Sequence, residues 1–247
     1  MFTPGRRAAL RTALLERAAA DPRISGAAIT GSAAVDREDR WSDIDLAFAV
    51  ATADELPTVL ADWTAHMSTA HAAVHHVDMR AGAWTYRVFL LPDTLQVDLA
   101  FVPAPEFRAL APSFRLVSGQ ANEARHSPPA EVGDLIGMAW LHALHVRPAM
   151  ARGRFWQAEY MISGVRDHAL ALACLRHGLP SSHGRGIDFL PPDVTAQFAG
   201  ALVRRLDERE LRRAFDAAIA GLLAEMHLAD RELAGRLHET VRRLTEF

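Results

Sequence analysis

The chain has a single cysteine, Cys174, and no lysine: all 27 of its Lys/Arg-class residues are arginine. One cysteine excludes an intramolecular disulfide and points to a reducing, cytoplasmic setting. The missing lysine reflects genome composition rather than mechanism. No long apolar run is present either. Ala-rich stretches such as Asp167 to Leu179 are interrupted by charge, which speaks against a membrane span. The arginine-bearing N-terminal stretch is broken by Glu16 and reads as an amphipathic helix, not a secretory leader. There is little net charge, −3 at neutral pH, and so no global pull on nucleic acid. Six of the twelve histidines (His66, His71, His75, His76, His142, His145) fall in two groups, but without a cysteine cluster or a His-Glu-x-x-His run, so zinc is not indicated. With half its residues hydrophobic and 23% charged, the chain is a folded globular protein with ample core.

The informative stretch is GSAAVDREDRWSDIDLAFAV, residues 31–50. Ile24 to Thr30 ahead of it is apolar and β-branched at both ends, which suits a buried strand. Gly31-Ser32 breaks that strand where a glycine lets backbone approach a ligand. From Asp43 the sequence alternates: Asp43 and Asp45 share one strand face, while Ile44, Leu46 and Phe48 point into a core. Two carboxylates so placed repel each other unless a cation sits between them, and a divalent, oxygen-preferring ion such as Mg²⁺ answers that need. Leu95 to Phe101 is a second alternating strand carrying Asp98. Paired beside the first, it brings a third carboxylate to the same patch.

Gly-Ser, ten residues, an Asp-apolar-Asp-apolar strand and a later apolar-Asp-apolar strand together resemble the DNA polymerase β-like nucleotidyltransferase superfamily. The resemblance covers about residues 24–102. It implies that Gly31 and Ser32 hold a nucleoside triphosphate, ATP being the expected donor. It also implies that Asp43 and Asp45 bind two Mg²⁺ ions, and that Asp98 either completes the metal site or activates the acceptor hydroxyl. A rival base is Glu159, on the longest helix expected in the second half and seven residues from Arg166, hence on the same face. A glutamate in comparable placement serves as base in the kanamycin-type enzymes that this chain resembles. Arg40 and Arg154, with Arg37 and Arg152, are candidates for phosphate contact, since guanidinium forks match phosphate oxygens. Trp41 is expected to pack beneath the loop before the acids, and Trp84 and Trp156 to lie in cores.

Taken in order, the chain predicts a helix from Thr3-Pro4 to about Ala20 and the Ile24 strand. A short turn or helical segment over 33–40, the Asp43 strand and a helix over 54–70 follow. Strands over 74–79 and 84–91 and a Pro92-Asp93-Thr94 turn lead into the Asp98 strand. Composition shifts at Ser127-Pro128-Pro129, and helices are expected at about 130–146, 153–177, 192–205, 208–227 and 230–245. The fold class is therefore α+β. A mixed-sheet nucleotidyltransferase domain with flanking helices, residues 1–128, precedes a C-terminal helical bundle, 129–247, with the active site expected in the cleft between them. That layout resembles the aminoglycoside- and lincosamide-type antibiotic nucleotidyltransferases. The implied reaction moves a nucleoside monophosphate from an NTP to a hydroxyl of a small, aminoglycoside-like acceptor with release of pyrophosphate. Two alternatives are a macromolecular acceptor (tRNA or protein, as in toxin-like members) and a non-catalytic nucleotide-binding module. Exposed apolar helices in the second half leave a homodimer open.

Overall fold

A computed structural model describes residues 1–126 and 128–246. The chain forms two compact units, Met1–Ser127 and Pro128–Phe247; Ser127, where the composition shift was placed, lies outside the described residues.

In the first unit, helix α1 (Pro4–Ala20) starts where Thr3 accepts a hydrogen bond from the Arg6 amide and proline occupies the first turn. Strand β1 (Ile24–Thr30) follows, then the single-turn helix α2 (Gly31–Ala34), β2 (Ile44–Val50) and α3 (Leu56–Ala70). The hairpin β3 (His75–Ala81) and β4 (Trp84–Leu90) leads to β5 (Gln96–Pro103), and β6 (Phe114–Ser118) completes a six-stranded sheet of order β3-β4-β5-β2-β1-β6. Only β2 and β5 run parallel among these pairs. Strand β6 was not anticipated from the sequence. Its five residues are mostly exposed, and it is defined by pairing along β1 rather than by any periodicity of its own.

The two central strands sort their side chains by size. Ile44, Leu46 and Phe48 of β2 and Val97, Leu99 and Phe101 of β5 face α1 and α3, where Phe48, Phe101 and the fully buried Trp63 meet with ring centroids 4.8–5.6 Å apart. Ala47, Ala49 and Ala100 lie on the opposite face among Trp84 and Phe107. Such period-two sorting follows from the pleat, and it leaves Asp45 and Asp98 on the thinly covered side.

The second unit is helical: α4 (Val132–Ala151), α5 (Phe155–Arg176), α6 (Pro192–Ala199), α7 (Glu208–Ala229) and α8 (Arg231–Arg242). Helices α4 and α5 approach closely at Gly164, where a Cβ would stand 2.2 Å from the His142 ring. Glu225, 1% exposed, receives a bidentate hydrogen bond from Arg176 across the α5–α7 contact at 3.0 and 3.1 Å. Cys174 is buried, as a small apolar side chain would be. The helix expected to reach residue 205 stops at Ala199. The Arg204 amide donates to Glu210, and Arg213 donates to the carbonyls of Gly200 and Leu202, so the backbone of that segment is bonded as a loop. Trp156 corrects another expectation: it is 77% exposed on α5, not in the core.

Candidate active site

Parallel pairing of β2 with β5 sets Asp45 and Asp98 directly opposite each other. Asp43, just ahead of β2, joins them, and one carboxylate oxygen from each of the three residues lies within 4.8 Å of the others. No other group of three or more His, Cys, Asp or Glu meets that geometry among the described residues. All three acids are half-buried. Close carboxylates that have lost part of their hydration resist ionising together. Burial, and secondarily the charge of Asp43, push Asp98 up to about 6, against a hydrogen bond from Gln96 that favours its charged form.

Gln96 was not foreseen from the sequence. Its amide nitrogen donates to Asp98 Oδ1 at 2.9 Å and reaches Asp43 Oδ2 at 3.4 Å, so a positive dipole end sits between two carboxylates. The available signal was its spacing: two residues before Asp98, it shares that residue's strand face.

Gly31 meets the acids from the other side. Its φ is +62°, a region L-residues avoid, and a Cβ there would fall 1.9 Å from Asp45 Oδ2. Glycine is therefore favoured both by the backbone and by the carboxylate packed against it. Ser32 follows in α2, partly exposed.

The loop into Asp43 is held by a residue that the motif does not include. Arg7 lies on the buried stripe of α1 with Leu10, Leu14 and Ala18 and is only 5% exposed. Its guanidinium donates to the carbonyls of Asp39 (2.6 Å) and Ser42 (2.8 Å) and pairs with Glu38 at 3.1 Å. Arg11 binds the same Glu38 carboxylate at 2.6 Å. Within the loop, the Trp41 amide and the Ser42 hydroxyl donate to Asp39, which holds its carboxyl below the usual range. An arginine in the apolar stripe of an amphipathic helix was the visible hint. Its partners, sequence-distant carbonyls, were not.

The candidate phosphate ligands are placed less informatively. Arg40 is exposed, its guanidinium 4.4 Å from the ring centre of Trp41. Trp41 is itself 62% exposed, so it does not pack beneath the loop as expected. Arg154 is exposed at the N-terminus of α5, its amide bonded to the Ala149 carbonyl. Glu159, one turn into α5, accepts a hydrogen bond from the Ser163 hydroxyl at 2.7 Å. Arg166 pairs with its neighbour Asp167. Arg154, Glu159 and Arg166 belong to the second unit and the three aspartates to the first.

The donor set suits Mg²⁺: three convergent oxygens, one of them on a carboxyl that its neighbours and burial discourage from ionising, with no sulfur or imidazole among them. No helix among the described residues is long and apolar enough to cross a membrane. No protein-family model and no curated protein matches this sequence. Among solved structures, the chain is similar to the crystal structure of an aminoglycoside 6-adenyltransferase from Bacillus subtilis, at 13% identity and a TM-score of 0.41, over 94% of this chain and 95% of that one.

Proposed function

We propose that this protein is a Mg²⁺-dependent nucleotidyltransferase that transfers a nucleoside monophosphate, with ATP as donor, to a hydroxyl of a small-molecule acceptor. The observation that carries the reading is the convergence of Asp43, Asp45 and Asp98 against a positive-φ glycine turn on which the Asp45 carboxylate packs. Asp43 and Asp45 would hold the metal, and Asp98 would either complete that site or take the acceptor's proton. Bound there, Mg²⁺ offsets charge on the phosphates and on the leaving pyrophosphate.

The chain's own residues supply position and proton transfer. Gly31 lets the turn lie against Asp45, and Ser32 offers a hydroxyl and an amide to phosphate oxygens. Gln96 orients Asp98 and Asp43. The acceptor oxygen forms a bond to the α-phosphorus as the bond from that phosphorus to the β-bridging oxygen breaks. The hydroxyl proton passes to a carboxylate, Asp98 or Glu159. Arg40 and Arg154 are assigned to the phosphates.

A thermal-shift screen of the four NTPs with and without Mg²⁺ tests the donor site, because a ligand that binds only the folded state raises apparent stability. A Mg²⁺-dependent shift that disappears in Asp45→Asn is expected. Transfer retained in that variant would sink the assignment. Glu159→Gln separates the two bases. If Glu159 is the base, turnover falls by about 10²–10⁴-fold while the Mg-NTP shift remains. Normal turnover leaves Asp98 or water to take the proton.

A further inference from the structure

A cavity of about 190 Å³ opens beside Asp45 and Asp98 on the alanine face of the sheet. Its floor is Ala47 and Ala100, and its walls are Trp84, Tyr86, Leu110 and Phe114. Trp84 and Tyr86 alternate along β4 and so face the same way, their rings stacked at 21° with centroids 5.9 Å apart. Tyr86 is paired in register with Ala100, a small side chain, and both line the cavity. The polar lining beyond the two acids is Thr30, Ser113 and Arg108. Arg108 already donates to the Pro105 carbonyl at 2.9 Å and meets Glu106 at 3.3 Å.

We infer that this cavity is the acceptor subsite, and that the acceptor is an uncharged compound that places a flat apolar ring, bearing the reactive hydroxyl, against Trp84 and Tyr86. The inference rests on the nucleotidyltransferase reading and narrows its acceptor class. Size supports a single ring system, since a cavity of about 150 Å³ accommodates benzene. Position supports the acceptor: the cavity touches both Asp45 and Asp98, so a hydroxyl at its mouth adjoins the acid cluster. Charge disfavours a polyamine in this cavity. Several ammonium groups need several carboxylates or they enter desolvated and unpaired. The lining offers only the two site acids, which the metal would engage, and its one basic residue, Arg108, is already met by Glu106. An apolar ring instead gains from burial and from aromatic stacking.

The test compares 7-hydroxycoumarin and 2-naphthol with kanamycin. Binding is followed by saturation-transfer NMR and titration calorimetry, and turnover by pyrophosphate release with Mg-ATP. Wild-type protein is expected to bind the ring compounds without nucleotide and to release pyrophosphate in their presence but not with kanamycin. Ala100→Leu fills the floor and should weaken ring binding by at least about ten-fold, while leaving the Mg-ATP thermal shift in place. If Ala100→Leu melts abnormally, Tyr86→Ala, on the partly exposed wall, takes its place with the same expectation. Ring binding unaltered in a folded cavity variant overturns the inference, and so does failure of both ring compounds to bind. Turnover with kanamycin alone overturns it while the transferase reading stands. Absence of any Mg-NTP shift in the wild type removes the transferase reading and the acceptor role with it.

Discussion

The acid cluster costs the metal-free protein stability, and Asp98→Asn measures how much. In the fold Asp98 titrates at about 6, whereas an aspartate in an unfolded chain titrates near 3.9. The folded state therefore holds a proton that the unfolded state has released, and stability falls as pH rises through that window. Each pH unit between the two values is about 1.4 kcal/mol, which sets a ceiling of about 3 kcal/mol above pH 7. Asp98 retains some solvent contact, so screening reduces this to about 1–2 kcal/mol. The asparagine side chain keeps an oxygen for the Gln96 amide and loses only the charge. Metal-free Asp98→Asn should thus melt about 2–8 °C above wild type at pH 8, given roughly 2–4 °C per kcal/mol for a chain of this size. The gap should be about half developed at pH 5 and nearly gone at pH 4. Scanning calorimetry in EDTA across pH 4–8 reads this directly. A gap that is absent at pH 8, or that does not change with pH, would refute the electrostatic account. Adding Mg²⁺ should reverse the order, since the wild type gains a ligand that the variant binds poorly.

Three other perturbations follow from the same contacts. Gly31→Ala forces a Cβ into the Asp45 carboxylate at a positive φ and should cost roughly 1–3 kcal/mol and weaken Mg²⁺ binding, read by urea denaturation and metal titration. Unchanged Mg²⁺ affinity would show that the carboxylate simply moves aside. Arg7→Leu preserves the apolar stripe of α1 but removes the guanidinium donor from the Ser42 carbonyl and leaves the Asp39 carbonyl only the Ser42 amide at 3.4 Å, a loss of about 1–3 kcal/mol. Trypsin should then cut after Arg37 and Arg40 faster than in wild type, and equal cleavage rates would rule out the pin. In the second unit, Arg176→Leu strands the buried Glu225 carboxylate and should cost about 3–5 kcal/mol, whereas Arg176→Met with Glu225→Leu should recover most of it. Equal denaturation midpoints for the single and double variants would argue against a stranded charge.

The alternation of Asp43-Ile44-Asp45-Leu46 and of Val97-Asp98-Leu99 by itself determined which side chains face the core and which face outward, because the pleat has a period of two wherever the strand lies. The helix starts at Thr3-Pro4 and Pro192, and the apolar stripes of α1 and α3, were equally local and equally legible. Three separated acids in a known order also sufficed to suggest metal chemistry. What only tertiary structure decided is non-local. The parallel register of β2 and β5 places Asp98 opposite Asp45, and Gln96 bridges two of the acids. Arg7 reaches 32 and 35 residues along the chain to carbonyls that carry no sequence identity. Strand β6 and the cavity walled by Trp84, Tyr86 and Phe114 belong to the same class. Their existence depends on which strands become neighbours, and pairing energy is shared between segments that neither encodes alone.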